Sequence, residues 1–286
     1  MTRSICLRLA YDGTDFVGWQ RQATGPSIQE AVERALAGAC DVPRLVVEGA
    51  SRTDAGVHAR LQIASAIVET RLSDDEIRRA MNARLPSSIA VLGVATMPDG
   101  FHARFWSVFK RYAYRIESAP RRSPIGRSYA MWTPRSLDVA RMRLGARHLL
   151  GRHDFAAFAS AGSPREHTVR VVQHLHVFQR RNITTIAVQG TGFLYNQVRA
   201  FAGTLLLVGQ GRLAPEEVAK IRDSRDRRLA GPTAPPEGLH LVRVQIGEGP
   251  GRKPSLFEDE ADGVDRGSGA LRDGVGSQDG QPGVSC

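Results

Sequence analysis

The chain is 286 residues long, 42% hydrophobic, and carries a formal net charge of +10. That length can bury a sizeable core, which excludes disorder of the whole chain, and its longest apolar runs, such as the one around Leu205 to Val208, fall far short of the roughly 20 residues needed to cross a bilayer. The three cysteines, Cys6, Cys40 and Cys286, lie too far apart in sequence for a disulfide framework or a Cys-x-x-Cys metal pair.

In chain order, Met1-Thr2-Arg3-Ser4 runs straight into an alternating strand with Ile5, Leu7 and Leu9 on one face. This start is unlike a secretory signal, and the cytoplasm is the expected compartment. A turn at Asp12-Gly13-Thr14-Asp15 ends the strand. Ser27-Ile28-Gln29-Glu30 then opens a helix as a capping box, with Ile28, Ala31, Val32, Ala35, Leu36 and Ala39 as its apolar face. Strands are expected over Leu45–Glu48 and Ile63–Glu69, a second helix after the capping pattern Ser73–Glu76, and a strand over Ile89–Ala95. The plan is β-α-β-β-α-β.

The second half broadly repeats it, with a strand over Val108–Ile116, a helix over Leu137–Leu150, strands over Val169–Phe178 and Ile183–Val188, a helix over Phe193–Leu207, and a closing strand over Leu239–Ile246. The expected fold class is therefore α+β. Two ferredoxin-like or RRM-like lobes, 1–104 and 105–249, each carry helices on one sheet face and leave a basic RNA-binding cleft between them. Residues 250–286 are Gly-, Asp- and Ser-rich and read as a disordered tail. From Gly251 onward four basic residues face seven acidic ones, a net of −3, so the first 250 residues carry +13. Such an excess favours a polyanionic partner. Only Lys110, Lys220 and Lys253 are lysines, so the charge is largely arginine, whose planar fork suits phosphate contact and stacking.

The densest polar cluster, Ser51-Arg52-Thr53-Asp54-Ala55-Gly56-Val57-His58, follows a predicted strand. An arginine two residues from an aspartate favours the ionised carboxylate, and Gly56 permits unusual backbone geometry. The cluster suits a nucleophile or general base beside a phosphate chain. It equally suits an Asx-type turn in which Asp54 caps its own backbone. Upstream, Gly18-Trp19-Gln20-Arg21-Gln22 puts aromatic, amide and guanidinium groups in one loop, as in a grip on looped RNA or a turn around a buried Trp. Phe101-His102-Ala103-Arg104-Phe105 and Lys110-Arg111-Tyr112-Ala113-Tyr114 interleave basic and aromatic side chains. Stacking a base on Tyr112 is worth roughly 1 to 3 kcal/mol.

His174-Leu175-His176 reads as strand surface and His153-Asp154 as a loop, and neither has partners at metal-ligand spacing. Gly190-Thr191-Gly192 and Gly209-Gln210-Gly211 lack dinucleotide or P-loop spacing, so no nucleotide cofactor is implied.

Taken as an ordered series, Tyr11-Asp12-Gly13, Gly18–Gln22, Arg52–His58, Phe101–Phe105 and Arg111-Tyr112 resemble the tRNA pseudouridine synthase A family. The similarity continues through Asn82, Leu85-Pro86, Phe193, Val198-Arg199, Gly203 and Glu237–Leu239, covering about Ser4 to Val244. The resemblance implies isomerisation of uridine to pseudouridine in the anticodon stem-loop of tRNA, at uridines 38 to 40, by a homodimer of two-lobed subunits without metal or small-molecule cofactor. By the same resemblance Asp54 is the catalytic carboxylate, Tyr112 stacks on the target base, Arg52 helps extrude it, and Arg199 pairs with Asp54. Arg21, Gln22, His58, Arg104 and Arg111 are the further substrate-binding residues expected. Ser51 stands where many members have Gly. The competing readings are a non-catalytic RNA-binding protein on the same scaffold, indifferent to loss of Asp54, and a metal-dependent RNA hydrolase built on His153, Asp154, His174 and His176.

Overall fold

A computed structural model describes residues 2–160 and 167–249. The tail expected over 250–286 lies outside these residues. Ten strands form one sheet in the order β4-β1-β3-β10-β5-β9-β8-β7, with β2 on β3 and β6 on β5. In chain order they are β1 (Thr2–Tyr11), β2 (Glu48–Gly49), β3 (His58–Glu69), β4 (Ile89–Met97), β5 (Ser107–Ser118), β6 (Met131–Thr133), β7 (Gly151–Asp154), β8 (Val169–Arg180), β9 (Ile183–Gly190) and β10 (Leu239–Ile246). The helices are α1 (Ile28–Cys40), α2 (Asp74–Asn82), α3 (Val139–Arg147), α4 (Gln197–Gly209) and α5 (Glu217–Ser224). The expected α+β class is the observed one.

The expected caps act where their chemistry places them. Ser27 Oγ accepts from the Glu30 amide, while Ser73 and Glu76 close a full reciprocal box at the start of α2. Helix α1 contacts α2, α2 lies on β4, and α3 lies against α4 and β8.

Several expectations are corrected. Leu45–Glu48 is not a strand, because the groups a ladder would use are taken by α1: the Val47 amide donates to Glu33 Oε1 (3.2 Å) and its carbonyl accepts from Gln29 Nε2 (3.0 Å). Pairing is left to Glu48–Gly49 alone. His153-Asp154 is not a loop but the end of β7, paired antiparallel with β8 at Arg170 and Val169. The helix expected from Phe193 starts at Gln197, because Asn196 adopts φ +61° and breaks the helical path.

One seam organises the sheet. β10, last in sequence, inserts between β3 and β5. It runs parallel to β3 through His240 with His58 and Leu241 with Ala59, and antiparallel to β5 from Leu239–Tyr114 onward. The seam therefore begins where the Asp54 loop ends.

On the other side, α4 is held by the segment that leads into β10. A Cβ at Gly203 would lie 1.8 Å from the Pro232 carbonyl oxygen, so the 231–234 backbone runs directly over the helix. The Gly231 amide donates to Thr204 Oγ1 (2.9 Å) and the Ala234 amide to the Arg199 carbonyl (3.1 Å). Gly203→Ala must push this backbone off the helix. We expect a loss of about 1 to 3 kcal/mol, read as a lower Tm and accompanied by reduced activity, because Arg199 sits one turn upstream.

Candidate active site

Residues 50–57 join β2 to β3 as a loop held from below by buried polar groups. Gln62, fully buried, clamps Ser51 from both sides: its Oε1 accepts from the Ser51 amide (3.3 Å) and its Nε2 donates to the Ser51 carbonyl (2.6 Å). Tyr11 Oη and Thr53 Oγ1 are 2.8 Å apart, and the Trp19 amide donates to the Thr53 carbonyl at 2.9 Å. Trp19 itself is buried, with its indole against Gly49. Of the two readings of that loop, the buried turn is the one its aromatic ring fulfils.

With the loop pinned on both sides, Gly56 takes φ +75° and the Val57 amide bonds back to the Asp54 carbonyl (3.2 Å). The Asp54 carboxylate is left free of its own backbone. Its partner is Arg199, 145 residues away: Nη1 lies 3.4 Å from Oδ2, with side-chain exposures of 15% for the arginine and 21% for the aspartate. The Asx turn is thus not formed. Burial is the larger influence on this carboxyl and raises its pKa, while the Arg199 charge and hydrogen bond pull it down.

Arg199 is itself fixed by two acceptors, its Nε donating to the Ala234 carbonyl (2.7 Å) and its Nη1 to Asn196 Oδ1 (2.8 Å). Asn196 is the N-cap of α4, yet its side chain caps nothing. Its other end donates to Ser160 Oγ at 2.9 Å. A residue type that normally caps its own helix here spends its amide on Arg199, from a left-handed backbone that costs on the order of 1 kcal/mol or more.

Asp54 and Arg199 line a cleft of about 740 Å³ together with Arg52, Lys110, Tyr112 and Phe193. Tyr112 is buried, its hydroxyl 2.7 Å from Ser51 Oγ and its ring edge-on to Phe193 at 5.4 Å. Burial, the largest influence, pushes its phenol up to about 12. Arg52 is exposed and its side chain has no hydrogen bond or ion pair among the described residues. Lys110, two residues before Tyr112 on β5, is also without such a partner; burial first and then Arg104 bring it down to about 8.

Of the other expected site residues, Gln22 and Arg104 line the cleft. Arg21, His58 and Arg111 do not. Arg21 pairs with Glu30 and Glu33 at 3.6 Å, and Arg111 donates twice to Gln189 Oε1 (3.1 and 2.8 Å). His58 is buried at the seam, its Nδ1 accepting from the Gly13 amide (3.2 Å) and its Nε2 donating to the Ser128 carbonyl (2.7 Å). Sequence reasoning missed Asn196, Gln62 and Phe193 as parts of the site. Strand alternation puts Lys110, rather than Arg111, on the Tyr112 face, a signal the sequence reading did not use.

The residues of the hydrolase reading do not converge. Asp154 is engaged by Thr168, Ala156 and Arg225, His153 by the Leu150 carbonyl, and His174 and His176 stack on each other in solvent. Among the described residues no three His, Cys, Asp or Glu side chains gather to hold a metal.

Comparison with known proteins adds a family. A model described as tRNA pseudouridine synthase matches residues 9–105 and 146–245. A tRNA pseudouridine synthase A from Syntrophotalea carbinolica is 44% identical over 84% of this chain and 95% of its own length. One from Allorhizobium ampelinum is 39% identical over 83% and 93%, and one from a Thermoanaerobacter strain 37% identical over 85% and 99%.

Asn196→Gly keeps the left-handed backbone available while deleting the amide that holds Arg199. Thermal melting is expected to stay unchanged or rise, whereas kcat/KM falls on the order of tenfold or more from misplacement of one guanidinium. Equal losses in both would mean that Asn196 serves only the fold.

Proposed function

Because this chain belongs to the tRNA pseudouridine synthase family and isomerises uridine to pseudouridine in tRNA, we propose that Asp54 is the carboxylate that carries the reaction, at uridines of the anticodon stem-loop. The observation that carries this reading is Asp54 set 3.4 Å from Arg199 in the cleft that Tyr112 also lines.

The chemistry needs little beyond a carboxylate. On the covalent route an Asp54 oxygen bonds to C1′ as the C1′–N1 bond breaks and its electron pair leaves with uracil. The freed ring turns, C5 bonds to C1′, the carboxylate departs, and C5 loses its proton while N1 gains one. On the glycal route Asp54 removes the C2′ proton, C1′=C2′ forms and the C1′–N1 electron pair leaves with uracil; after the ring has turned, C5 adds to C1′ as the proton returns to C2′, and C5 loses its proton while N1 gains one. Both need the ionised carboxylate at the reacting face. Arg199 supports this by opposing the effect of burial.

Tyr112 is the platform for the extruded base, its ring braced by Phe193 and its hydroxyl anchored on Ser51. The serine stands where many members have Gly, so this anchor is a feature of this chain. Arg52, with no partner of its own among the described residues, takes the place the base vacates in the stem, offsetting the few kcal/mol of unpairing. Gln22 and Arg104 contact RNA at the cleft wall. Further parts of the reading are two lobes meeting at 104/105, a homodimeric assembly, a cytoplasmic setting, and no metal or cofactor.

The test is tritium release from tRNA labelled at uracil C5, with EDTA present. Wild type is expected to release tritium and Asp54→Asn none, with pseudouridine mapping to the anticodon arm. Equal release by both proteins would remove Asp54 from the chemistry. No release by either, with tRNA still bound, would favour the non-catalytic RNA-binding reading.

A further inference from the structure

Between β5 and β6 the chain runs Ala119-Pro-Arg-Arg-Ser-Pro-Ile-Gly-Arg-Ser-Tyr-Ala130, three arginines and no acidic residue. Arg121, Arg122 and Arg127 are exposed, and none has an ion pair or side-chain hydrogen bond among the described residues. A loop of this composition is ordinarily a solvated surface with nothing to hold it in place.

This one is held at both ends. At its base the Ala119 amide donates to the Thr133 carbonyl (3.1 Å) and Trp132 Nε1 to the Ala119 carbonyl (3.0 Å). At its far end His58 Nε2 donates to the Ser128 carbonyl (2.7 Å) and His240 Nε2 to the next carbonyl, that of Tyr129 (2.9 Å). The two imidazoles are buried, directly opposite one another on the β3–β10 seam, and stacked at 4.8 Å. The Tyr129 hydroxyl donates to Asp12, and its ring lies 5.1 Å from that of His58. A carbonyl cannot donate, so each imidazole carries a proton on Nε2. Burial, foremost, keeps His240 uncharged down to about pH 4. Two buried histidines of the core are thus committed to consecutive carbonyls of a surface loop, which fixes that loop to the same strand that begins where the Asp54 loop ends.

We infer that residues 119–130 form a second RNA contact, in which Arg121, Arg122 and Arg127 grip phosphodiesters outside the nucleotide that enters the cleft, and that His58 and His240 are positioning residues for that grip. The inference rests on the tRNA reading. It explains why His58 closes the Arg52–His58 motif yet stays away from the cleft: it couples the placement of the arginines to the loop carrying Asp54. Three unpaired cations held in one short loop repel each other in the free protein. Phosphates relieve that repulsion and release counterions as they do so.

The test is the full chain with Arg121→Gln, Arg122→Gln and Arg127→Gln together, bound to full-length tRNA over a range of salt. If each arginine meets one phosphate, the slope of log K against log salt becomes shallower by roughly two to three. Affinity near physiological salt falls by roughly tenfold or more, with Tm and single-turnover rate at saturating tRNA unchanged. An unchanged slope and affinity would overturn the inference, as would a lost turnover rate with the slope intact. The salt slope is read from binding alone. It therefore remains decisive even if wild type released no tritium and the catalytic reading fell.

Discussion

Two rungs of parallel pairing, His240 with His58 and Leu241 with Ala59, are the constraint on which the site depends. Without them β1–β4 and β5–β9 would be separate sheets, and the carboxylate of one would have no route to the guanidinium of the other. The seam is short, and its neighbours reinforce it. On one side lies the Asp54 loop, clamped by Gln62 and Tyr11. On the other lies the 231–238 segment, which crosses α4 at Gly203 and carries the carbonyl that holds Arg199. The geometry of the Asp54–Arg199 pair is thus inherited from backbone packing. Asp54 and Arg199 meet because each is tied to backbone that enters or flanks the same joint.

Electrostatics then decides what the meeting does. A carboxylate shielded from water resists ionisation, and a paired arginine opposes that resistance. Burial is the larger influence on Asp54 and raises its pKa, and its carboxylate, once ionised, is less strongly hydrated than that of a surface aspartate. That state suits attack at an electron-poor sugar carbon. The cations around it are not equivalent. Arg199 is fully engaged, whereas Arg52 and Lys110 line the cleft without a hydrogen-bond or ion-pair partner among the described residues, and with Arg104 they are the cations that we assign to RNA. The arginines of the 119–130 loop extend the same logic beyond the cleft.

Much of this was legible in the sequence. Alternation located β1, β8, β9 and β10, and capping residues located α1 and α2, because those signals are local. The Ser51–His58 cluster could be recognised as a polar loop after a strand. What remained hidden were the long-range contacts. Nothing near Asp54 in sequence identifies Arg199 as its partner rather than Arg52. Nothing in His58 distinguishes an imidazole facing RNA from one facing the Ser128 carbonyl. Leu45–Glu48 looked like a strand because Val47 is apolar, and only the side chains of Gln29 and Glu33 explain why it does not pair. Asn196 fell inside the helix expected over Phe193–Leu207. Its left-handed backbone, and with it the aim of its amide at Arg199, appears only once α4 and the 231–236 segment are in place.

The central claim is that a guanidinium from the second half of the chain favours the ionised form of a partly buried carboxylate of the first half. It is tested most directly by the pH dependence of kcat/KM for wild type and Arg199→Met. Removing the positive charge leaves burial unopposed, so the pKa of Asp54 must rise, and activity, which requires the ionised form, must be lost at a higher pH on acidification. An acid limb in Arg199→Met displaced upward from that of wild type is the predicted result. An acid limb at the same pH in both proteins, with activity merely scaled down, would contradict the account and reduce Arg199 to a packing residue.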